Sequence, residues 1–258
     1  MKKVKNIAII TGASSGIGKA FAEILTGQEN FDEVWLISRR LDKLNEVGQS
    51  LGIPFKAIPL DLQKHESYEA YKALLEEEKP NVKVLINCSG FGKFGSYKDI
   101  EVSDSIGMID LNAKAPVALT EYTLPYIKEG GRILQVCSIA GFHCIPYLNV
   151  YAATKVFLLN YSRALNFELR DRKITVTAVC PGWTKTPFFD VATNGGEKKE
   201  VTKYTGMRTA EEMVIKALKA SRKGKDIAVL GLQNNGHRFL AKILPYSFIM
   251  KIWDKIRK

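Results

Sequence analysis

Ser138, Tyr151 and Lys155 are the residues whose types and spacing could do chemistry. A tyrosine and a lysine four positions apart share one face of a helix, so a phenol and an ammonium can act together on one bound carbonyl while the serine donates a hydrogen bond. A free phenol titrates near 10, so work as an acid/base at neutral pH needs about 4 kcal/mol of differential stabilisation of the phenolate. The neighbouring ammonium contributes to that, and Ser138 would hold the substrate oxygen as negative charge develops on it. The spacing alone is weak, because Tyr68 and Lys72 satisfy it too. Context separates the two copies: Phe55 stands thirteen residues before Tyr68, whereas Ser138 stands there before Tyr151, directly after the apolar run 132–137. Only the second copy is set for chemistry.

The elements that would position these side chains follow from hydrophobic periodicity. Short apolar runs rich in β-branched residues occur at 7–10, 34–38, 55–60, 82–87, 132–137, 175–180 and 226–230, with helix-periodic segments between them. Continuously apolar strands, each followed by a helix, imply a parallel sheet covered on both faces with right-handed crossovers. The expected class is therefore α/β: a doubly wound parallel sheet of about seven strands in a three-layer α/β/α arrangement. At 258 residues and 46% hydrophobic content the chain reads as one domain. The longest irregular stretch, 184–206, is a lid candidate. Its Lys198, Lys199 and Lys203 could meet a carboxylate or phosphate on a substrate, although Glu197 and Glu200 beside them favour a solvated charged loop.

The first strand runs into Thr11-Gly-Ala-Ser-Ser-Gly-Ile-Gly and then a helical pattern. Gly12, Gly16 and Gly18 let the chain turn and let a pyrophosphate approach backbone N–H groups of Ser14, Ser15 and Ile17 at a helix N-terminus. The spacing G-x-x-x-G-x-G is not the usual dinucleotide fingerprint, but its setting between strand and helix is the required one. After the second strand, where a free 2′-hydroxyl would want a carboxylate, the chain reads Ser38-Arg39-Arg40. Two guanidinium forks and a hydroxyl suit a 2′-phosphate, so the expected cofactor is NADP(H) rather than NAD. Asp61 could accept from an adenine amino group, with the Leu62 N–H donating. Asn87, Ser89 and Gly90 bring a second tight backbone to the crevice at the end of the fourth strand.

Assembled, these residues resemble the short-chain dehydrogenase/reductase family over about residues 4–230. The resemblance implies a Rossmann-type fold and an oxidoreductase with a tetrad at Asn112, Ser138, Tyr151 and Lys155, of which Tyr151 and Lys155 also contact the cofactor. It implies that Asn112 holds a water linking Lys155 to solvent. It also matches the turn after the sixth strand to Pro181 and Gly182, followed by Thr184 and by Thr186 as the contact to the nicotinamide carboxamide. Two departures stand out: Cys88-Ser89 where Asn-Ala is usual, and a basic, hydrophobic tail after Leu230-Gly-Leu-Gln-Asn-Asn. The tail weakens a fatty-acid-synthesis ketoreductase reading and, with hydrophobic extensions known in hydroxysteroid and long-chain acyl members, points toward lipid-like substrates.

Composition bounds the rest. Four cysteines without a C-x-x-C pair read as small hydrophobes, three of them at or near the ends of apolar runs, and His65, His143 and His237 are too scattered to suggest a metal cluster. The net charge of +11 comes without a basic stripe interleaved with stacking aromatics, which argues against nucleic acid. No stretch reaches the roughly 20 apolar residues of a membrane span, and the apolar run after the basic start is too short for a secretory signal, so a cytoplasmic location follows by default. Substrate-pocket candidates are apolar: Phe91, Phe94, Ile139, Phe142, Ile145, Pro146, Tyr147, Trp183, Phe188 and Phe189. They suggest a hydrophobic ketone or alcohol. The tail 237–258 is apolar on one side and cationic on the other, broken at Pro245. It would either lie on an anionic membrane surface or pack Phe239, Ile243, Leu244, Phe248, Ile252 and Trp253 over the substrate mouth or a partner subunit. A homodimer or homotetramer is expected by resemblance, through the helices around 99–128 and 151–172. The competing function is a non-catalytic NADP-sensing protein whose tail binds a membrane or partner; the intact tetrad argues against it.

Overall fold

In the computed structural model, which describes residues 3–193 and 200–258, seven strands form one all-parallel sheet. They are β1 (Asn6–Thr11), β2 (Glu33–Ser38), β3 (Phe55–Pro59), β4 (Asn81–Asn87), β5 (Arg132–Val136), β6 (Thr175–Cys180) and β7 (Ile227–Val229). Each expected strand is present, with ends within one residue of the apolar runs. The order β3-β2-β1-β4-β5-β6-β7 reverses direction between β1 and β4, which opens a crevice at the carboxyl ends of those two strands.

The sheet is buried on both sides because side chains alternate across it. Ala8, Ile10, Leu36, Val84 and Ile86 face α1 (Gly16–Thr26), α2 (Leu41–Ser50) and, later in the chain, a helix at Ala210–Arg222. Ile7, Ile9, Trp35, Ile37, Val82 and Leu85 face α3 (His65–Glu78) and two helices of the second half, Ala115–Thr123 and Asn149–Glu168. In chain order the remaining helices are α4 (Val102–Ile109), α5 (Ala115–Thr123), α6 (Asn149–Glu168), α7 (Phe188–Ala192), α8 (Ala210–Arg222), α9 (Leu232–Ile243) and α10 (Tyr246–Ile256).

Local chemistry fixes several of these ends. Thr209 and Glu212 form a reciprocal capping box that starts α8, each side chain taking the other's backbone N–H at 3.2 Å. Between α4 and α5 the chain widens into a π-helical turn, Asp110–Lys114, so the segment expected as one long helix is two with a bulge between them. The segment expected to be irregular from 184 to 206 contains α7 and a parallel bridge between Thr184 and Arg208, because Phe188 and Phe189 gain aromatic partners there. Lys198 and Lys199 of the lid reading lie outside the described residues. No described helix is long and apolar enough to cross a membrane.

Candidate active site

The carboxyl ends of β1, β2, β4, β5 and β6 border a cleft of about 1070 Å³. Its floor at one end is the glycine turn. Gly12 and Gly16 both have φ in the left-handed region, 67° and 55°. A Cβ on Gly18 would fall 2.2 Å from the Gly12 carbonyl oxygen, a backbone atom that cannot yield, so only glycine lets α1 begin this close to β1. Thr11 ties the turn to its neighbour: its hydroxyl accepts the N–H groups of Cys88 and Ser89, both at 2.9 Å, fixing the end of β4 against the end of β1. Sequence reading did not single out Thr11, because the partner N–H groups lie 77 and 78 residues away.

Gly12, Ser14, Ser15, Gly16, Ile17, Gly18, Ser38, Arg39, Arg40, Asp61, Leu62, Ser89, Gly90, Pro181, Gly182, Thr184 and Thr186 all line the cleft. Thr186 closes over the glycine turn, since a Cβ on Gly16 would stand 3.3 Å from its side chain. Arg40 reaches across the turn, donating to Ser14 Oγ at 3.0 Å and Ser15 Oγ at 3.2 Å. Arg39 lines the same mouth, exposed, with no ion-pair or hydrogen-bond partner among the described residues. The Asp61 carboxylate accepts the Gln63 N–H at 3.2 Å. Asn87 departs from expectation: its side chain turns away from the cleft and donates to Thr120 Oγ1 at 3.0 Å, bracing β4 against α5, so only Cys88, Ser89 and Gly90 of that segment reach the crevice.

At the other end of the cleft, β5 delivers Ser138 and α6 delivers Tyr151 and Lys155. Ser138 begins a 3₁₀ turn, its Oγ accepting the Ala140 N–H at 3.1 Å, and its hydroxyl is in hydrogen-bond contact with the Tyr151 phenol. Lys155 is buried, 4% exposed, and donates to the Val136 carbonyl at 2.9 Å, with Nζ 5.7 Å from the centre of the Tyr151 ring. Burial pushes Tyr151 up to about 12 against the opposing pull of the Ser138 hydrogen bond, and burial also lowers the Lys155 ammonium. Burial therefore favours the neutral phenol, a proton donor.

Asn112 sits in the π-helical turn, fully buried and not on the cleft wall. Its carboxamide takes the Phe91 N–H at 3.0 Å and gives to the Phe91 carbonyl at 2.8 Å and to Thr154 Oγ1 at 3.2 Å. The side chain therefore staples the β4–α4 loop to α6, and all its polar atoms are engaged. Tyr68, in the decoy pair, is buried in the second core with its hydroxyl on the Leu62 carbonyl at 2.6 Å, while Lys72 points to solvent.

Aromatic side chains wall the remaining space. Of the apolar pocket candidates, Phe91, Phe94, Ile139, Ile145, Trp183, Phe188 and Phe189 line it. Phe142 instead packs into a core beside β6, the Pro146 carbonyl accepts the Trp253 indole N–H at 2.9 Å, and Tyr147 lies under the Arg257 guanidinium at 3.7 Å. The tail thus reaches the cleft through Trp253, Lys255, Ile256 and His237. Phe239, Ile243, Phe248 and Ile252, which the packing reading of the tail would cover, are exposed. His237 meets His143 across 2.5 Å between their Nε2 atoms, a contact that nothing local in the sequence signals. Cys137 and Cys180 are buried as read, Cys88 is partly buried with its thiol pushed up to about 12 by burial, and Cys144 is exposed.

Comparison with known proteins gives a consistent set of likenesses. The family model described as short chain dehydrogenase matches residues 6–195. An uncharacterized oxidoreductase of Staphylococcus epidermidis is 31% identical over 204 residues, covering 78% of this chain and 87% of that protein. A short-chain dehydrogenase from Sphingobium yanoikuyae, solved in complex with NADPH, superposes with a TM-score of 0.76 at 25% identity, covering 93% of this chain and 96% of the other. A 7β-hydroxysteroid dehydrogenase structure has a TM-score of 0.80 at 22% identity over 96% of each chain, a likeness of fold.

Proposed function

The chain belongs to the short-chain dehydrogenase family and is an NAD(P)-dependent oxidoreductase, and on that premise we propose that it uses NADP(H) to interconvert a hydrophobic ketone and its secondary alcohol. The observation that carries this reading is one continuous cleft with the glycine turn and two arginines at one end, the Ser138–Tyr151 pair and Lys155 in the middle, and an aromatic wall beyond. The turn fits a dinucleotide because Gly12, Gly16 and Gly18 leave the volume a Cβ would fill. Arg39, without a partner among the described residues, is suited to a 2′-phosphate, and the NADPH held by the Sphingobium relative supports the same choice.

A bound nicotinamide would supply the hydride in reduction and, when oxidised, a positive charge that favours the phenolate. Tyr151 gives its proton to the developing alkoxide in reduction and takes it back in oxidation. Ser138 holds the carbonyl oxygen, a donor fixed in advance by the turn it starts. Lys155 lowers the cost of the phenolate, and its buried ammonium is held in place by the Val136 carbonyl. Asn112 acts in this reading through position: by stapling Phe91 to α6 it sets the wall against which Tyr151 stands. Phe94, Trp183, Phe188 and Phe189 exclude water from the reacting carbonyl and favour a bulky apolar substrate. A second copy is expected on α4 and α6, where Val102, Ile106, Phe157 and Phe167 are exposed.

The test is a panel of steroid, acyl and small ketones assayed by NADPH loss, with Tyr151→Phe as control. Turnover of the best ketone should fall by about 100-fold or more in the variant, with dinucleotide binding intact. Near-normal turnover in Tyr151→Phe would reject the mechanism. A panel without any turnover would favour the sensing alternative.

A further inference from the structure

Both helices of the tail carry large apolar side chains on the face turned away from the body of the protein. On α9 the side turned to the body of the protein carries Asn234, His237, Arg238 and Ala241, of which His237 meets His143 and Arg238 covers the Phe142 ring at 6.0 Å. The opposite side, by the 100° step of a helix, carries Leu232, Phe239 and Ile243, with Leu240 adjoining. All are exposed, Leu232 to 92% and Phe239 to 62%. On α10, Ile249, Trp253 and Arg257 face inward, whereas Phe248, Ile252 and Ile256 form an exposed stripe at successive four-residue steps. Patches of this kind on a water-soluble surface mark a docking face.

Charge decides the occupant. Lys242 stands beside the apolar stripe of α9, and Lys251 and Lys255 flank that of α10. Residues 232–258 hold a single acid, Asp254, and it is tied to Arg257 at 2.8 Å. A second copy laid on this face would set lysine against lysine with no carboxylate between them. An anionic lipid surface answers both features, taking the apolar stripes into its acyl boundary and the lysines at its headgroups. We infer that α9 and α10 dock the protein peripherally on anionic bilayers. The cleft mouth lies at the same place, since Trp253, Lys255 and Ile256 of α10 line it. In the reading of the substrate as lipid-like, the ketone then reaches the cleft from the bilayer.

Cosedimentation of the full chain with vesicles tests docking without reference to turnover. Most of the protein should pellet with phosphatidylglycerol-containing vesicles and little with pure phosphatidylcholine. Phe239→Ser/Ile243→Ser and, separately, Lys242→Glu/Lys251→Glu should each weaken the partition by about 10-fold or more, while turnover of a water-soluble ketone stays unchanged because none of the four lines the cleft. Equal recovery from the two vesicle types would overturn the inference. So would a change of oligomeric mass in Phe239→Ser/Ile243→Ser with vesicle partition unaltered, which would give the face to a second copy.

Discussion

Arg39 and Arg40 are neighbours in sequence and differ in what they hold. Arg40 is committed to Ser14 and Ser15, so its guanidinium shapes the glycine turn. Arg39 has no such commitment among the described residues and is the charge available to a 2′-phosphate. Arg39→Asp should therefore change the ratio of kcat/KM for NADPH over NADH by about 10- to 100-fold toward NADH, the worth of a charge-assisted hydrogen bond. Arg40→Ala should weaken both cofactors alike. Steady-state kinetics with the two cofactors checks the pair, and an unchanged ratio in Arg39→Asp would reject the assignment. At this scale the sequence was readable wherever chemistry is written in local spacing: the glycine turn, the two arginines, Ser138 and the Tyr151–Lys155 step. It was unreadable where a side chain's direction decides. Asn87 and Asn112 are polar residues in suggestive places whose side chains also brace the scaffold, Asn87 through its amide N–H on α5 and Asn112 through the Phe91 backbone.

Elements were legible in proportion to their periodicity. The strands announce themselves as unbroken apolar runs because both faces of the sheet are covered, and their alternate side chains supply two cores. The docking of α9 left no such trace, since it depends on His143 and His237, 94 positions apart. His143 Nδ1 lies 2.9 Å from the Cys144 carbonyl, which can only accept, so Nδ1 carries the hydrogen and Nε2 accepts from His237. Burial lowers His143 from its ordinary value, and burial, with the His143 charge adding to it, takes His237 down to about 4. A base whose folded pKa lies below its unfolded value binds protons more readily when unfolded, so stability is lost as pH falls. The clip's contribution should be complete above about pH 6.5 and decline toward pH 4. The protection of α9 amides, relative to their intrinsic exchange at each pH, should fall across that window in the native protein, and His237→Phe should remove the pH dependence. Protection of α9 that is level with pH in the native chain would contradict the clip.

The whole molecule gathers its chemistry at one end of the sheet, and the tail completes that end from the far terminus of the chain. The strand order that reverses between β1 and β4 makes the crevice, and the segments after β4, β5 and β6 wall it. The last wall is held by Arg257. Its guanidinium donates to the Glu200 carbonyl at 2.6 Å and pairs with the Glu200 and Asp254 carboxylates, while its face covers the Tyr147 ring at 3.7 Å. Tyr147 has a left-handed φ of 65°, a conformation that a β-carbon residue adopts only when its surroundings hold it. Trp253, one turn earlier, spans from the Pro146 carbonyl to the Trp183 ring on the cleft wall, 6.5 Å between centroids. One arginine thus fastens α10, the 146–147 turn and the chain at 200–202 around the apolar pocket, at a distance from Tyr151 and Lys155. Arg257→Ala should therefore loosen the pocket and leave the reacting groups in place. KM for a bulky ketone should rise by about 10-fold while kcat stays within about 2-fold, and a small ketone should show neither change. Arg257→Lys should restore little, because an ammonium cannot stack on Tyr147 and serve both carboxylates. An equal loss of kcat for small and bulky ketones would instead mean that the arginine supports the fold of the whole cleft and not the shape of its outer wall.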